Sequence, residues 1–200
     1  MMTDILPDLP GQVPVMALGD STLFPHALMP MFIFEERYQQ MLRDVLETDR
    51  MFSVGLAEAG DEERIAPVAG VGLVRACVKS DDGTSHLILQ GVGRVRILGW
   101  IEGKPYRVAR VETLESTGTD DASLPKMTAA LRAAVARMRA EGAELPVQLE
   151  QYLERIEDPG VLTDVVSSAL IHASSERQAM LRELHVPTRL DRLIALLKMM

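Results

Sequence analysis

The apolar residues of this chain change their spacing once, and that change limits the possible fold more than any other feature. Up to about residue 114 they come in short runs or alternate with polar residues, which is strand periodicity. From residue 124 onward they recur three and four positions apart, which is helix periodicity. Residues 115–123 (Glu, Ser, Thr, Gly, Thr, Asp, Asp, Ala, Ser) are polar and read as a linker. Strands gathered in one part and helices in the other indicate an α+β chain, not a wound parallel sheet. The expected domains are residues 11–116, rich in strand, and 122–200, a helical bundle.

Within the first part, strands are predicted at 13–18, 28–34, 51–57, 71–79, 85–90, 94–100 and 106–114. Asp81-Asp82-Gly83 sits between two β-type runs and predicts a hairpin. Pro30 interrupts the second run, which suits an edge strand or a bulge. One helix is embedded at 35–48, where Tyr38, Met41, Leu42, Val45 and Leu46 fall on one face. In the second part, helices are predicted at 123–142, 146–156, 161–173, 175–184 and from Pro187 on. Ser123 is the expected N-cap of the first, and Gly142 its stop.

Composition narrows the function. Apolar residues make up 47% and charged residues 25%, which excludes a disordered or fibrous chain. Net charge is −8. Residues 1–115 hold 11 Lys and Arg against 17 Asp and Glu, and residues 116–200 hold 10 against 12. That balance repels phosphate backbones and anionic lipids, so neither nucleic acid nor membrane is expected as a partner. Arg94, Arg96, Arg107 and Arg110 form a local basic concentration, read as an outward strand face paired with acids such as Glu112. Cys77 is the only cysteine, so no internal disulfide forms. The first residues lack the pattern of a signal peptide, and no apolar run reaches the roughly 18 residues of a membrane helix. A cytoplasmic protein is the expectation.

Three stretches, in order along the chain, resemble the N-terminal, substrate-recognition region of the Lon proteases. The first is Leu23-Phe24-Pro25 with Leu28, Pro30, Phe34, Glu35, Arg37 and Tyr38. The second is Val71-Gly72, Asp82-Gly83, the segment Gly91-Val92-Gly93-Arg94-Val95-Arg96-Ile97, and Pro105-Tyr106. The third is Asp158-Pro159-Gly160, Leu162 and Asp164, then Gln178, Leu181, Leu184, Val186, Arg189-Leu190, Leu193 and Leu196-Leu197. The likeness runs over residues 13–200. It departs at His26, where that family often has Gly, and at Glu36, where Pro is frequent. The resemblance implies a PUA-like β pseudo-barrel with one embedded helix, followed by an α-helical bundle. It also implies binding of exposed apolar segments in unfolded proteins. A Lon protease continues into an ATPase and a Ser–Lys peptidase, whereas this sequence stops at Met200. Gly103-Lys104 is followed by Pro105, so it opens no phosphate-binding loop. The expectation is a stand-alone, non-catalytic form that needs no cofactor or metal. An adaptor role toward a separate protease or ATPase is the alternative.

Other chemistry is weaker. Gly19-Asp20-Ser21-Thr22-Leu23 resembles the nucleophile block of GDSL esterases. Those enzymes need a His three residues after a late Asp, and the residues three before His26, His86, His172 and His185 are Leu23, Gly83, Ala169 and Arg182. The sequence also contains no Asn to serve as an oxyanion donor. Asp20 and Ser21 therefore read as a turn. Ser167 and Ser168 on a helical face, with four scattered lysines, do not define a Ser–Lys dyad, and no His or Cys pair has metal-ligand spacing. The segment Met29-Pro30-Met31-Phe32-Ile33-Phe34 is different. Six bulky residues in a strand cannot all face inward. Phe24, Met29, Met31, Phe32 and Ile33 are the candidate peptide-binding residues. Leu28, Pro30, Phe32 and Phe34 are assigned to the core face, and Met29, Met31 and Ile33 to an open one. Methionine-rich surfaces suit varied partners.

Overall fold

The computed structural model describes residues 8–58, 61–142 and 147–200. The chain divides into two compact units, one ending at Leu114 and the other spanning Glu115–Met200.

The first unit is a seven-stranded, mostly antiparallel sheet with one helix. Its strands are β1 (Gln12–Leu18), β2 (Leu28–Ile33), β3 (Met51–Glu58), β4 (Asp61–Ile65), β5 (Val68–Lys79), β6 (Ser85–Ile101) and β7 (Arg107–Leu114), with α1 (Glu36–Leu46) after β2. The pairing path runs β1-β7-β6-β5-β3-β4, and β1 also pairs in parallel with β3. Strands β1, β7, β6, β5 and β3 therefore form a closed ring. Closure satisfies both edges of each ring strand, which an open sheet leaves unpaired. Phe52, Leu89 and Met41 are fully buried in one cluster, and Val13, Ala69 and Val95 in a second.

The 17-residue β6 is the spine of this unit. Its first half pairs with β2 and its second half with β7, while β5 runs along its other side. The sequence separates 85–90 from 94–100 at Gly91-Val92-Gly93, but the strand is continuous. The glycines are there for close approach. A Cβ on Gly91 would lie 1.9 Å from the Phe24 carbonyl oxygen, and one on Gly70 would lie 1.9 Å from that of Leu23. The Leu23-Phe24-Pro25 loop presses against the sheet at these bare positions. His26 (φ 64°) donates its N–H to Gly91 O, and Gly91 donates back to Ala27 O. The charged β4 shows no apolar alternation and escapes the sequence reading; among the described residues it pairs with β3 alone.

The second unit holds α2 (Leu124–Ala140), α3 (Val147–Arg155), α4 (Pro159–Leu170), α5 (Ser174–Arg182) and α6 (Val186–Lys198). Residues 115–121 belong to it: Thr117 donates to Leu184 O and accepts from Val186 N–H. Ser123 does not cap α2. Its backbone is already helical, and its N–H and hydroxyl both donate to Asp121 Oδ1, a local turn that displaces the cap. Gly142 (φ 102°) follows the end of α2 in the left-handed conformation that glycine tolerates.

The Asp158-Pro159-Gly160 motif has a clear physical role. Asp158 caps α4 by accepting from Val161 N–H at 2.9 Å, and Pro159 takes a first-turn position where no donor is needed. Gly160 leaves room for Arg189, whose Nη2 would lie 3.2 Å from an added Cβ. Arg189 is fully buried beside Asp164, with Nε 3.5 Å from Oδ1. It also donates to Glu183 O and Ser116 Oγ. Around it Leu162, Leu181, Leu190, Leu193 and Leu197 are buried.

Candidate functional site

Strand β2 has no Asp, Glu, Lys or Arg in its sequence, and among the described residues it pairs only with β6. Its residues alternate strictly between an inner and an outer face. The phase is opposite to that expected from the sequence. Ile33 is buried, and Met29 and Met31 are half-buried against the core cluster. Leu28, Phe32 and Phe34 are 63%, 50% and 61% exposed. The neighbouring strand explains this phase. Met29, Met31 and Ile33 stand opposite the buried Leu89, Leu87 and Ser85, whereas Leu28, Pro30 and Phe32 stand opposite Gln90, Ile88 and His86. Proline also fits the solvent side of an edge strand.

Of the five candidate residues, only Phe32 lies on the open face. Phe24 is fully buried under the loop at Gly91, and Ile33 is in the core. Met29, Met31, Phe32 and Ile33 nevertheless all line one recess of about 230 Å³, together with Met16, Phe34 and Tyr38. The outer face spans three strands. Phe32 is in register with His86, which is in register with Val78; Pro30 is in register with Ile88, which is in register with Ala76. The Phe32 ring stacks on the His86 ring at 4.7 Å and on Phe34 at 5.9 Å. Val78 is 69% exposed. Between these side chains lies a shallow hollow of about 440 Å³. Leu28, Phe34, Val78, His86 and Ile88 escape sequence reasoning, although polar Gln90 and His86 at alternate positions of β6 mark the solvent face.

Helix α1, directly after β2, is tied to the β6–β7 connection. The Asp44 carboxylate accepts from Lys104 Nζ at 2.8 Å and from the Tyr106 hydroxyl. These bonds, Lys104 first, hold the Asp44 carboxyl at about 2. Burial and then the Asp44 carboxylate push the Tyr106 hydroxyl above the ordinary tyrosine range. Tyr38 accepts the Ala17 N–H at 3.2 Å and so joins α1 to β1.

The remaining candidates give no catalytic arrangement. Ser21 donates to Asp20 Oδ1 at 2.9 Å, a local turn. Ser167 is buried and donates to Thr163 O within its helix. No group of three or more His, Cys, Asp or Glu side chains is placed to hold a metal among the described residues. No helix among them is long and apolar enough to cross a membrane. Cys77 is partly buried against the core. The four arginines do not share one outward face as expected. Arg94 is buried and pairs with Gly70, the bare position against which the Leu23 loop presses; Arg96 pairs with Glu112 at 2.7 Å and Arg107 lies over the Trp100 ring.

The family model of the substrate-binding domain of ATP-dependent protease La (LON) matches residues 12–199. The chain belongs to this family. The Lon protease of Desulfosudis oleivorans is 27% identical over 194 residues, covering 92% of this chain and 23% of that protein. That of Trichlorobacter lovleyi is 28% identical over 187 residues, covering 90% and 23%. The chain thus spans about a quarter of the length of these curated relatives. Among solved structures, the N-terminal domain of the Mycobacterium avium complex Lon protease superposes with a TM-score of 0.72 at 18% identity, covering 94% of this chain and 98% of that one. A Lon N-terminal domain protein from Xanthomonas campestris gives 0.65 at 21% identity, covering 92% and 97%. The stretches that carry the resemblance in sequence include the Leu23-Phe24-Pro25 loop on its glycines, the Asp158 cap and the Asp164–Arg189 pair.

Proposed function

We propose that this chain is a non-catalytic protein-recognition module, and that it captures exposed apolar segments of unfolded proteins on the outer face of β2, β6 and β5. The observation that carries this reading is the contiguous open face holding Leu28, Phe32, Phe34 and Val78, each at least half exposed. Exposed apolar surface on this scale commonly marks an interaction site. Membership in the LON substrate-binding family supports a protein ligand. The closed ring of five strands supports treating the first unit as PUA-like, and the division at 114/115 supports two separately folding domains.

The expected affinity is modest. Full burial of a Leu, Phe or Val side chain is worth about 1.5–3 kcal/mol, and these four have about half to two-thirds of that still to gain. Four such contacts give roughly 4–7 kcal/mol before ordering costs, which corresponds to weak, rapidly reversible capture. The test is titration of a labelled, permanently unfolded polypeptide into the wild-type chain and into Phe32→Ser/Val78→Ser. Binding should weaken at least tenfold while the melting temperature stays within about 3 °C. Unchanged binding by a folded double variant would place recognition elsewhere. Capture of one stoichiometric protease or ATPase from native lysate, without unfolded clients, would identify an adaptor instead.

A further inference from the structure

The open face has a charge character opposite to the net charge of −8 of the whole chain. The chain holds 29 acids, yet β2, β5 and β6, strands of 6, 12 and 17 residues, contain not one Asp or Glu. They contain Arg75, Lys79, Arg94, Arg96 and His86. Arg94 is buried and Arg96 is spent on Glu112. Arg75 and Lys79 are exposed, and neither has a carboxylate within salt-bridge distance among the described residues.

Arg75 sits where the β5–β6 register slips, between Val74 and Ala76. Its Nε donates to the neutral Oε1 of Gln90, and Gln90 stands directly opposite Leu28. This guanidinium therefore lies at the Leu28 end of the apolar strip. Its two terminal nitrogens have no protein acceptor among the described residues. Such a fork suits a carboxylate, which accepts two parallel hydrogen bonds. From Leu28 to Phe34 the strip is about 20 Å long, the span of six extended residues.

We infer that this face selects extended apolar segments of about six residues that carry an acidic group at the end lying beside Arg75, and disfavours those flanked by lysine. The inference rests on the function proposed above and adds a specificity-determining residue to it. Phe32, Val78 and their neighbours supply the sequence-tolerant apolar contact. Arg75 supplies polarity, fixing which end of the segment lies toward Leu28. The exposed setting keeps the discrimination moderate, since a surface ion pair is worth at most about 1 kcal/mol, or about fivefold.

The experiment is fluorescence anisotropy with labelled ten-residue peptides that share an apolar six-residue core and carry Glu or Lys at the flanks. Binding is measured in low salt to the full chain, Arg75→Gln, Arg75→Glu and Phe32→Ser. The wild type should bind the Glu-flanked peptide about fivefold tighter. Arg75→Gln should abolish the preference, Arg75→Glu should reverse it, and Phe32→Ser should weaken both peptides alike. Equal affinities that Phe32→Ser still lowers would overturn this inference and leave the apolar site standing. A preference unchanged in Arg75→Glu would also overturn it. No binding of either peptide by the wild type would remove both readings. Displacement of bound peptide by stoichiometric oligouridine would make the face a nucleic-acid surface and overturn the assignment.

Discussion

Replacing Arg189 by Met takes the counter-ion away from a buried carboxylate. Arg189 is fully buried and the Asp164 side chain is only 4% exposed, so water cannot take over the solvation that the guanidinium provides. Removing one member of a buried ion pair typically costs about 3–5 kcal/mol, because the other keeps its charge and loses its counter-ion. Glu183 O and Ser116 Oγ lose a donor in the same step. The second unit has 86 residues, from Glu115 to Met200, for which the usual stability is about 4–13 kcal/mol. The loss is therefore about a quarter or more of the total, and the melting temperature of this unit should fall by at least about 12 °C. Asp164→Leu should cost a similar amount. The double variant Asp164→Leu/Arg189→Met removes both charges and should recover most of the loss, ending within about 2 kcal/mol of wild type. Calorimetry on all four proteins, completed as a double-mutant cycle, measures the coupling. Single variants that each cost less than 1 kcal/mol, or a double variant equal to the sum of the singles, would refute the reasoning.

Three further outcomes follow from other parts of the structure. Gly91→Ala should cost more than about 3 kcal/mol in urea unfolding of the first unit, because its Cβ would meet the Phe24 carbonyl oxygen at 1.9 Å and neither backbone can yield cheaply. Met29→Ser/Met31→Ser should destabilise by about 2–4 kcal/mol, where Phe32→Ser/Val78→Ser is nearly neutral, because the methionines point inward; equal effects would contradict the assigned phase of β2. The folded carboxyl of Asp44 titrates at about 2, below its value near 3.9 in an unfolded chain. Its contribution to stability is present above about pH 4 and fades as pH falls through 2. NMR titration of the Asp44 carboxyl carbon should show this midpoint, and Lys104→Ala should raise it.

The coarse plan was legible because burial leaves a periodic trace. Tyr38, Met41, Leu42 and Val45 mark α1 in sequence and are its buried face in structure. The motifs Leu23-Phe24-Pro25 and Asp158-Pro159-Gly160 were legible as a resemblance, but their mechanics were not. Nothing local says that Gly70 and Gly91 are bare because a loop 40 or more residues earlier crosses them. The phase of β2 failed for a related reason. Six bulky residues in a row give both phases nearly equal hydrophobicity, and the decision lies in the strand opposite, where His86 and Gln90 alternate with Leu87 and Leu89. The candidate site suffered most, since it needs three strands in register, and register is a property of pairs.

The ring of strands also sets an order of events during synthesis. Strand β1 pairs with β7 through Val13 and Ala109, residues 96 positions apart, and with β3 through Val15 and Ser53. Contacts this distant carry a large loop-closure entropy and slow folding. On a ribosome, β1 can meet β3 early, but the ring cannot close before β7 has left the exit tunnel. Until then β1 and β6 each present an unpaired edge, next to a β2 with no charged residue to deter association. The nascent first unit thus passes through a stage in which it resembles the exposed, apolar chains that its finished face is suited to hold.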